Sequence, residues 1–177
     1  RNLTVIKDAE DMKRRRLPGF SVKNIPYDDP EVFAMMSAGE TSGVFQFESA
    51  GMRSVLQRME PKSVEDLTAV LSLYRPGPMA SIPKYIENSK NPSKIIYDDE
   101  RLKGILDVTY GCIVYQEQVM QIFRALAGYS LGRADVVRRA MSKKKHAVID
   151  AERVAFVHGD PKRQIAGAVR NGVPEEI

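Results

Sequence analysis

The 177-residue sequence has one cysteine, two histidines and no apolar run near the length of a membrane span, and each shortage removes a class of protein. A lone thiol, Cys112, forms no internal disulfide. With no basic stretch leading into an apolar one at the start, a reducing, cytoplasmic compartment is expected. Without a Cys/His cluster there is no structural zinc site. Without about 18 consecutive apolar residues there is no bilayer span. A glycine-rich phosphate loop, a G-x-S-x-G elbow and an H-E-x-x-H pair are also missing. His146 and His158 stand apart and read as surface residues. Cys112, beside Gly111, reads as a small buried hydrophobe. The acids Asp98, Asp99 and Glu100 fall at an expected helix start, where the macrodipole favours them, so a structural reading outweighs metal binding. No self-sufficient catalytic constellation is present.

What is present describes an ordinary soluble globular protein of about one domain, 43% hydrophobic and 28% charged with a mean hydropathy of −0.32. The net charge of +4 is uneven: residues 124–145 carry seven cations against Asp135, a local +6, and the remainder sums to −2. Such a cationic element suits a polyanion, a nucleic acid or a nucleoside triphosphate, although a solvated helix face has the same composition.

The coarse reading is mainly α: an irregular multi-helix lobe over 1–177 with short loops and at most a small β element near 43–47. Leu3, Ile6, Ala9 and Met12 mark a first helix, within 1–16, ending in the basic run 13–16. That run either touches DNA or complements the helix macrodipole. Asp29-Pro30-Glu31 opens a short helix through Met36. The alternation in 43–47 predicts a strand. Ser63-Val64-Glu65-Asp66 approximates a capping box before a helix to Leu73, which the rigid Arg75-Pro76-Gly77-Pro78 turn stops. Residues 83–92 read as polar and exposed, and 98–106 as a helix. A longer helix is expected over 113–127, closed by Gly128, and another after Ser130 with Leu131, Ala134, Val137 and Met141 along one arc. Asp160-Pro161 predicts a further helix, ended by Asn171-Gly172. Pro174 followed by two acids predicts the first turn of the next. With Arg1 in first place, both ends are expected to be cuts in a longer chain.

The block 133–145 holds the most suggestive chemistry. Adjacent arginines project about 100° apart on a helix and can grip different oxygens of a polyphosphate, their guanidinium forks suiting bidentate contact. Asp135, four residues before Arg139, is placed to hold that guanidinium.

Four stretches, Gly43-Val44-Phe45-Gln46-Phe47-Glu48-Ser49, Leu73-Tyr74-Arg75-Pro76-Gly77-Pro78-Met79, Tyr110-Gly111-Cys112-Ile113-Val114-Tyr115-Gln116-Glu117-Gln118-Val119-Met120 and Arg138-Arg139-Ala140-Met141, resemble in content and order the fingers region of the bacterial DNA polymerase III alpha subunit family. The resemblance spans roughly the whole chain. It implies the N-terminal part of the fingers, with 1–16 as the first helix after the palm, in an enzyme that adds dNTPs to a primer 3′ end under template direction. It implies two Mg2+ ions held by palm carboxylates, the last of them in an Asp-Phe-Leu-Gly-Leu stretch expected just before Arg1, so the segment alone is expected to be inactive. By motif match, Arg138 and Arg139 are the expected triphosphate contacts, followed by Lys143 and Lys144 and, last, Lys145. Arg75 either lines the nucleotide or template side or fixes its turn through a buried ion pair. Arg133 and Lys145 are candidate DNA contacts. Tyr115, Gln116, Glu117 and Gln118, and residues 39–48, read mostly as scaffold. Ser142 stands where the family more often has Gly, a small change. The implied partners are dNTP, template-primer DNA and the rest of the alpha subunit, with the sliding clamp and other replisome subunits engaged through other parts, and no membrane. The competing readings are a free-standing helical nucleic-acid-binding module and a protein-interaction module.

Overall fold

Side-chain caps written into the sequence start most of the helices. The computed structural model describes residues 2–176. It comprises nine α-helices joined by short 3-10 turns, with one isolated β-bridge and no strand among the described residues. Contacts divide the chain into two compact units, Arg1–Leu67 and Thr68–Ile177.

In the first unit, α1 (Asn2–Arg14) buries no side chain, and Leu3 and Met12 are 81% and 65% exposed. Asp29 caps α2 (Pro30–Ala38) by accepting from the Glu31 N–H at 2.9 Å, with Pro30 preset at the first position. Ser49 caps α3 (Ala50–Met59) by accepting from the Met52 N–H. Apolar side chains at 3.6-residue spacing, Phe33 and Met36 on α2 and Met52, Val55, Leu56 and Met59 on α3, are buried where these two helices pack. The strand expected at 43–47 is absent. Gly43 and Gln46 adopt positive φ (79° and 68°), folding the stretch into two consecutive turns. The buried Thr41 hydroxyl ties them off by donating to the Phe47 carbonyl at 2.6 Å.

Helix α4 (Val64–Leu73) crosses the division. Ser63 accepts from the Asp66 N–H, while Asp66 accepts from the Lys62 N–H, one position outside the expected capping box. In the second unit, the Pro-Gly-Pro turn follows α4 as expected, but residues 83–92 are not simply an exposed polar stretch. Pro83 lies in the first turn of α5 (Ile82–Lys90), which buries Ile82, Tyr85 and Ile86 on one face. Asp99 caps α6 (Glu100–Leu106). Then come α7 (Gln116–Ala127), α8 (Leu131–Ser142) and α9 (His146–His158). Gly128 closes α7 in the left-handed conformation and Ser130 caps α8 two residues later. Helix α7 starts three residues after the expected point because the buried Gln118 amide oxygen accepts from the Val114 and Tyr115 N–H groups, holding them outside the helix.

Leu126, Tyr129, Val137, Ala155 and Ile165 centre the core of α7, α8 and α9. Phe123 meets the Tyr129 and Phe156 rings edge-on at 5.1 and 4.8 Å. The helix expected from Asp160-Pro161 shrinks to a single 3-10 turn, Pro161–Arg163, closed by the Asp160–Ile165 bridge. The following backbone serves the ends of other helices instead. Ala168 and Val169 donate to the Phe156 and Val157 carbonyls of α9, and Gly167 and the Asn171 side chain donate to the Ala127 and Leu126 carbonyls of α7. Gly159 and Gly167 meet so closely that a Cβ on either would lie 2.4 Å from backbone of the other strand of this turn. Glu175 and Glu176 form a turn, not the helical start their sequence suggests.

Candidate functional site

Helix α8 and the turn that follows it carry most of the basic residues of interest, and the structure sends them in different directions. Asp135 forms the hinge of the arrangement. Arg138 donates to its Oδ1 through Nε (2.9 Å) and one terminal nitrogen (2.7 Å), while Arg139 pairs with Oδ2 at 2.5 Å. Arg138's hydrogen bonds, joined by those of Arg139, hold the Asp135 carboxyl below its ordinary pKa, so it stays ionised. The expected Asp135–Arg139 pair is present, and Arg138 shares it. The other terminal nitrogen of Arg138 reaches the Gln116 side-chain oxygen on α7 at 2.7 Å, a contact that sequence spacing did not reveal.

The two arginines therefore differ in freedom: the Arg138 side chain is 24% exposed, that of Arg139 66%. Arg139, Lys143 and Lys145 line one open hollow of about 220 Å³, with Val136, Ala140 and Val148 as its apolar floor. At the end of α8, Lys143 is the C-cap and Lys144 takes φ 50°, while the Lys145 N–H turns back to the Ala140 carbonyl. This turn brings Lys145 beside Arg139. Lys144 is exposed and does not line the hollow. Arg75 is exposed on the turn after α4 and donates to the Leu71 carbonyl at 3.2 Å, so the buried-ion-pair alternative for it does not hold.

Arg133 points inward. It pairs with Glu152 of α9, and its Nε is closed off from solvent. Glu152 is 2% exposed and also accepts from Arg163 at 3.1 Å and from the Tyr129 hydroxyl at 3.0 Å. No sequence motif singles out this carboxylate. Its signal was an acid in phase with an apolar stripe, since Val148, Glu152, Ala155 and Phe156 recur at helical spacing.

Of the expected scaffold residues, Gln118 is buried and donates to the Ile105 carbonyl and the Thr109 hydroxyl. Cys112 is buried and its thiol is pushed up in pKa by that burial, which disfavours the thiolate. Asp99 is occupied as cap and partner of Arg101. Among the described residues no group of three or more His, Cys, Asp or Glu is placed to hold a metal ion, and no helix is long and apolar enough to cross a membrane.

A sequence model of the bacterial DNA polymerase III alpha subunit finger domain matches residues 2–164. The chain belongs to this family. It is 46% identical over its full length to the DNA polymerase III subunit alpha of Staphylococcus aureus (strain COL) and of Bacillus subtilis (strain 168). It is 48% identical to that of Staphylococcus aureus (strain MRSA252). In each comparison the finger-domain segment spans 16% of the relative's length.

Proposed function

We propose that this finger-domain segment works within a replicative DNA-directed DNA polymerase, where it receives the triphosphate of the incoming dNTP during template-directed primer extension. The observation that carries the reading is the convergence of Arg139, Lys143 and Lys145 on one hollow, beside an Asp135 carboxylate that preorients both arginines. Cations held in place before the anion arrives lose little freedom on binding it. Placed at the β- and γ-phosphates, they would offset the charge that grows on pyrophosphate as it leaves, which lowers the barrier rather than merely tightening the complex. Arg138 reaches the phosphates by exchanging one of its bonds to Asp135 or Gln116 for a phosphate oxygen. Lys144 and Arg75 are secondary candidates, since neither lines the hollow.

Among the described residues no group of three or more His, Cys, Asp or Glu is gathered, and in this reading the Mg2+ ions of such a polymerase are held by carboxylates elsewhere in the parent protein. It follows that the 177-residue chain alone should not extend a primer. Template-primer DNA, the rest of the alpha subunit, the sliding clamp and other replisome subunits are its proposed partners. Arg133 is a poor DNA contact in this reading because Glu152 engages its head; Lys145 is better exposed.

The test is single-turnover incorporation by the complete polymerase carrying Arg138→Ala or Arg139→Ala. A loss of about tenfold or more that persists at saturating dNTP indicates transition-state stabilisation, and one confined to low dNTP indicates ground-state binding. Wild-type rate and affinity in Arg139→Ala, the arginine that lines the hollow, would refute the triphosphate role. Steeply salt-dependent DNA binding by the isolated chain would favour a free-standing nucleic-acid-binding module instead.

A further inference from the structure

Glu152 lies outside the phosphate-facing hollow and has no part in the chemistry above, yet it gathers more charged hydrogen bonds than a packing role requires. Arg133 in the first turn of α8, Arg163 in the turn after α9, and the Tyr129 hydroxyl just before the α8 cap all donate to this one carboxylate. Arg163 is itself braced by Asp160, which pairs with its Nε at 3.2 Å and accepts the Lys162 and Arg163 backbone N–H groups.

We propose that Glu152 is a positioning residue for the α8 cluster: by clamping Arg133 from α9, it fixes the rotation of α8 and thereby the place from which Arg138 and Arg139 meet the incoming phosphates. This rests on the reading that α8 receives the triphosphate. The inner face of α8 is made of small side chains, Ala134, Val137 and Ala140. Apolar contact is non-directional, and so smooth a face offers few knobs to resist turning or sliding. A three-donor carboxylate supplies the direction that the face lacks. The lever is short, because Arg133 and Arg138 are about 7.5 Å apart along the axis at 1.5 Å per residue. With side-chain tips about 6 Å from the axis, a rotation of roughly 20° displaces a guanidinium by about 2 Å. Misplacements on the order of 1 Å can cost about a hundredfold in rate. A buried ion pair also adds little stability over an apolar substitute of similar volume, so its advantage here is geometric.

The experiment uses the complete polymerase and single-turnover incorporation of one dNTP. Glu152→Gln keeps the shape and removes the charge. It is expected to lower the rate at saturating dNTP, or the dNTP affinity, by about tenfold or more, with primer-template affinity within about twofold of wild type. Combined with Arg139→Ala, the losses should be less than multiplicative, because both act through the same contact. The paired variant Glu152→Met with Arg133→Met restores apolar packing and a folded domain but not direction, and it should remain slow while resisting proteolysis like wild type. Wild-type incorporation by that folded pair, a Glu152→Gln effect within about twofold, or multiplicative losses with Arg139→Ala would each overturn the proposal. The two readings separate cleanly. If Arg139→Ala is itself silent, the triphosphate reading fails; if it is impaired while the Glu152 variants are normal, only the positioning role fails.

Discussion

Two helices among the described residues end in runs of cations, and the structure holds the two runs differently. At the end of α1, Lys13, Arg15 and Arg16 surround an open hollow, but the helix that carries them buries no side chain. Arg14 is spent locally, on Glu10 at 2.7 Å and on the Phe20 carbonyl at 2.8 Å. On α8 the cations sit on a helix whose inner face is fully covered, whose first turn is clamped by Glu152, and whose arginines share one ionised carboxylate. Cationic composition is the same kind of signal in both places; what differs is whether the backbone beneath the charge is held. A solvated run at a helix C-terminus complements the macrodipole and needs nothing more.

The contrast can be broken most violently through the turn that supports α7 and α9. Gly159 and Gly167 both have φ of 88°, with a Cβ on either meeting backbone at 2.4 Å. Gly159→Ala or Gly167→Ala should each cost more than about 3 kcal/mol, backbone strain adding to the clash, as read by urea unfolding of the chain. Next comes Glu152→Ala, which strands Arg133 and Arg163. A loss of about 3 kcal/mol is expected, the low end for a broken buried pair because both arginines are partly exposed and can turn to water.

A smaller, pH-dependent effect belongs to Asp99, whose carboxyl the Arg101 side-chain hydrogen bonds hold down at about 2. A folded value below the unfolded one means that this stabilisation is complete above about pH 4 and is lost as pH falls toward 2. Asp99→Asn should flatten that part of the acid-unfolding profile, and Asp99→Ala should cost about 1 kcal/mol as a lost cap. Smallest is Leu3→Ala on α1, within about 0.5 kcal/mol, because Leu3 is already 81% exposed. A large loss there would show that α1 is held in a way its burial does not reveal.

The helices that carry the site were the most legible, because their ends are local chemistry. Ser130, Gly128 and Asp29 act in the structure as their residue types dictate, and Asp135 meets Arg139 at the expected spacing. What was illegible depends on partners distant in sequence. Val44, Gln46 and their neighbours alternate like a strand, but two positive-φ residues and the Thr41 hydroxyl close them into turns. The apolar spacing of Ile82, Tyr85 and Ile86 was masked by the proline inside it. Leu131 and Met141 were expected on the inner arc of α8 and are 57% and 45% exposed, with Ala140 facing inward instead. The segment after Asp160 has a helix start but spends its N–H groups on the carbonyls of α7 and α9, so the helix ends after one turn.

The α8 run, unlike the α1 run, is the proposed phosphate site. The most direct measurement compares Arg139→Ala with Arg15→Ala in the complete polymerase, titrating one dNTP in single-turnover incorporation. Arg139→Ala should lose about tenfold or more in rate or nucleotide affinity, while Arg15→Ala stays within about twofold of wild type. Equal losses in both variants, or none in Arg139→Ala, would contradict it.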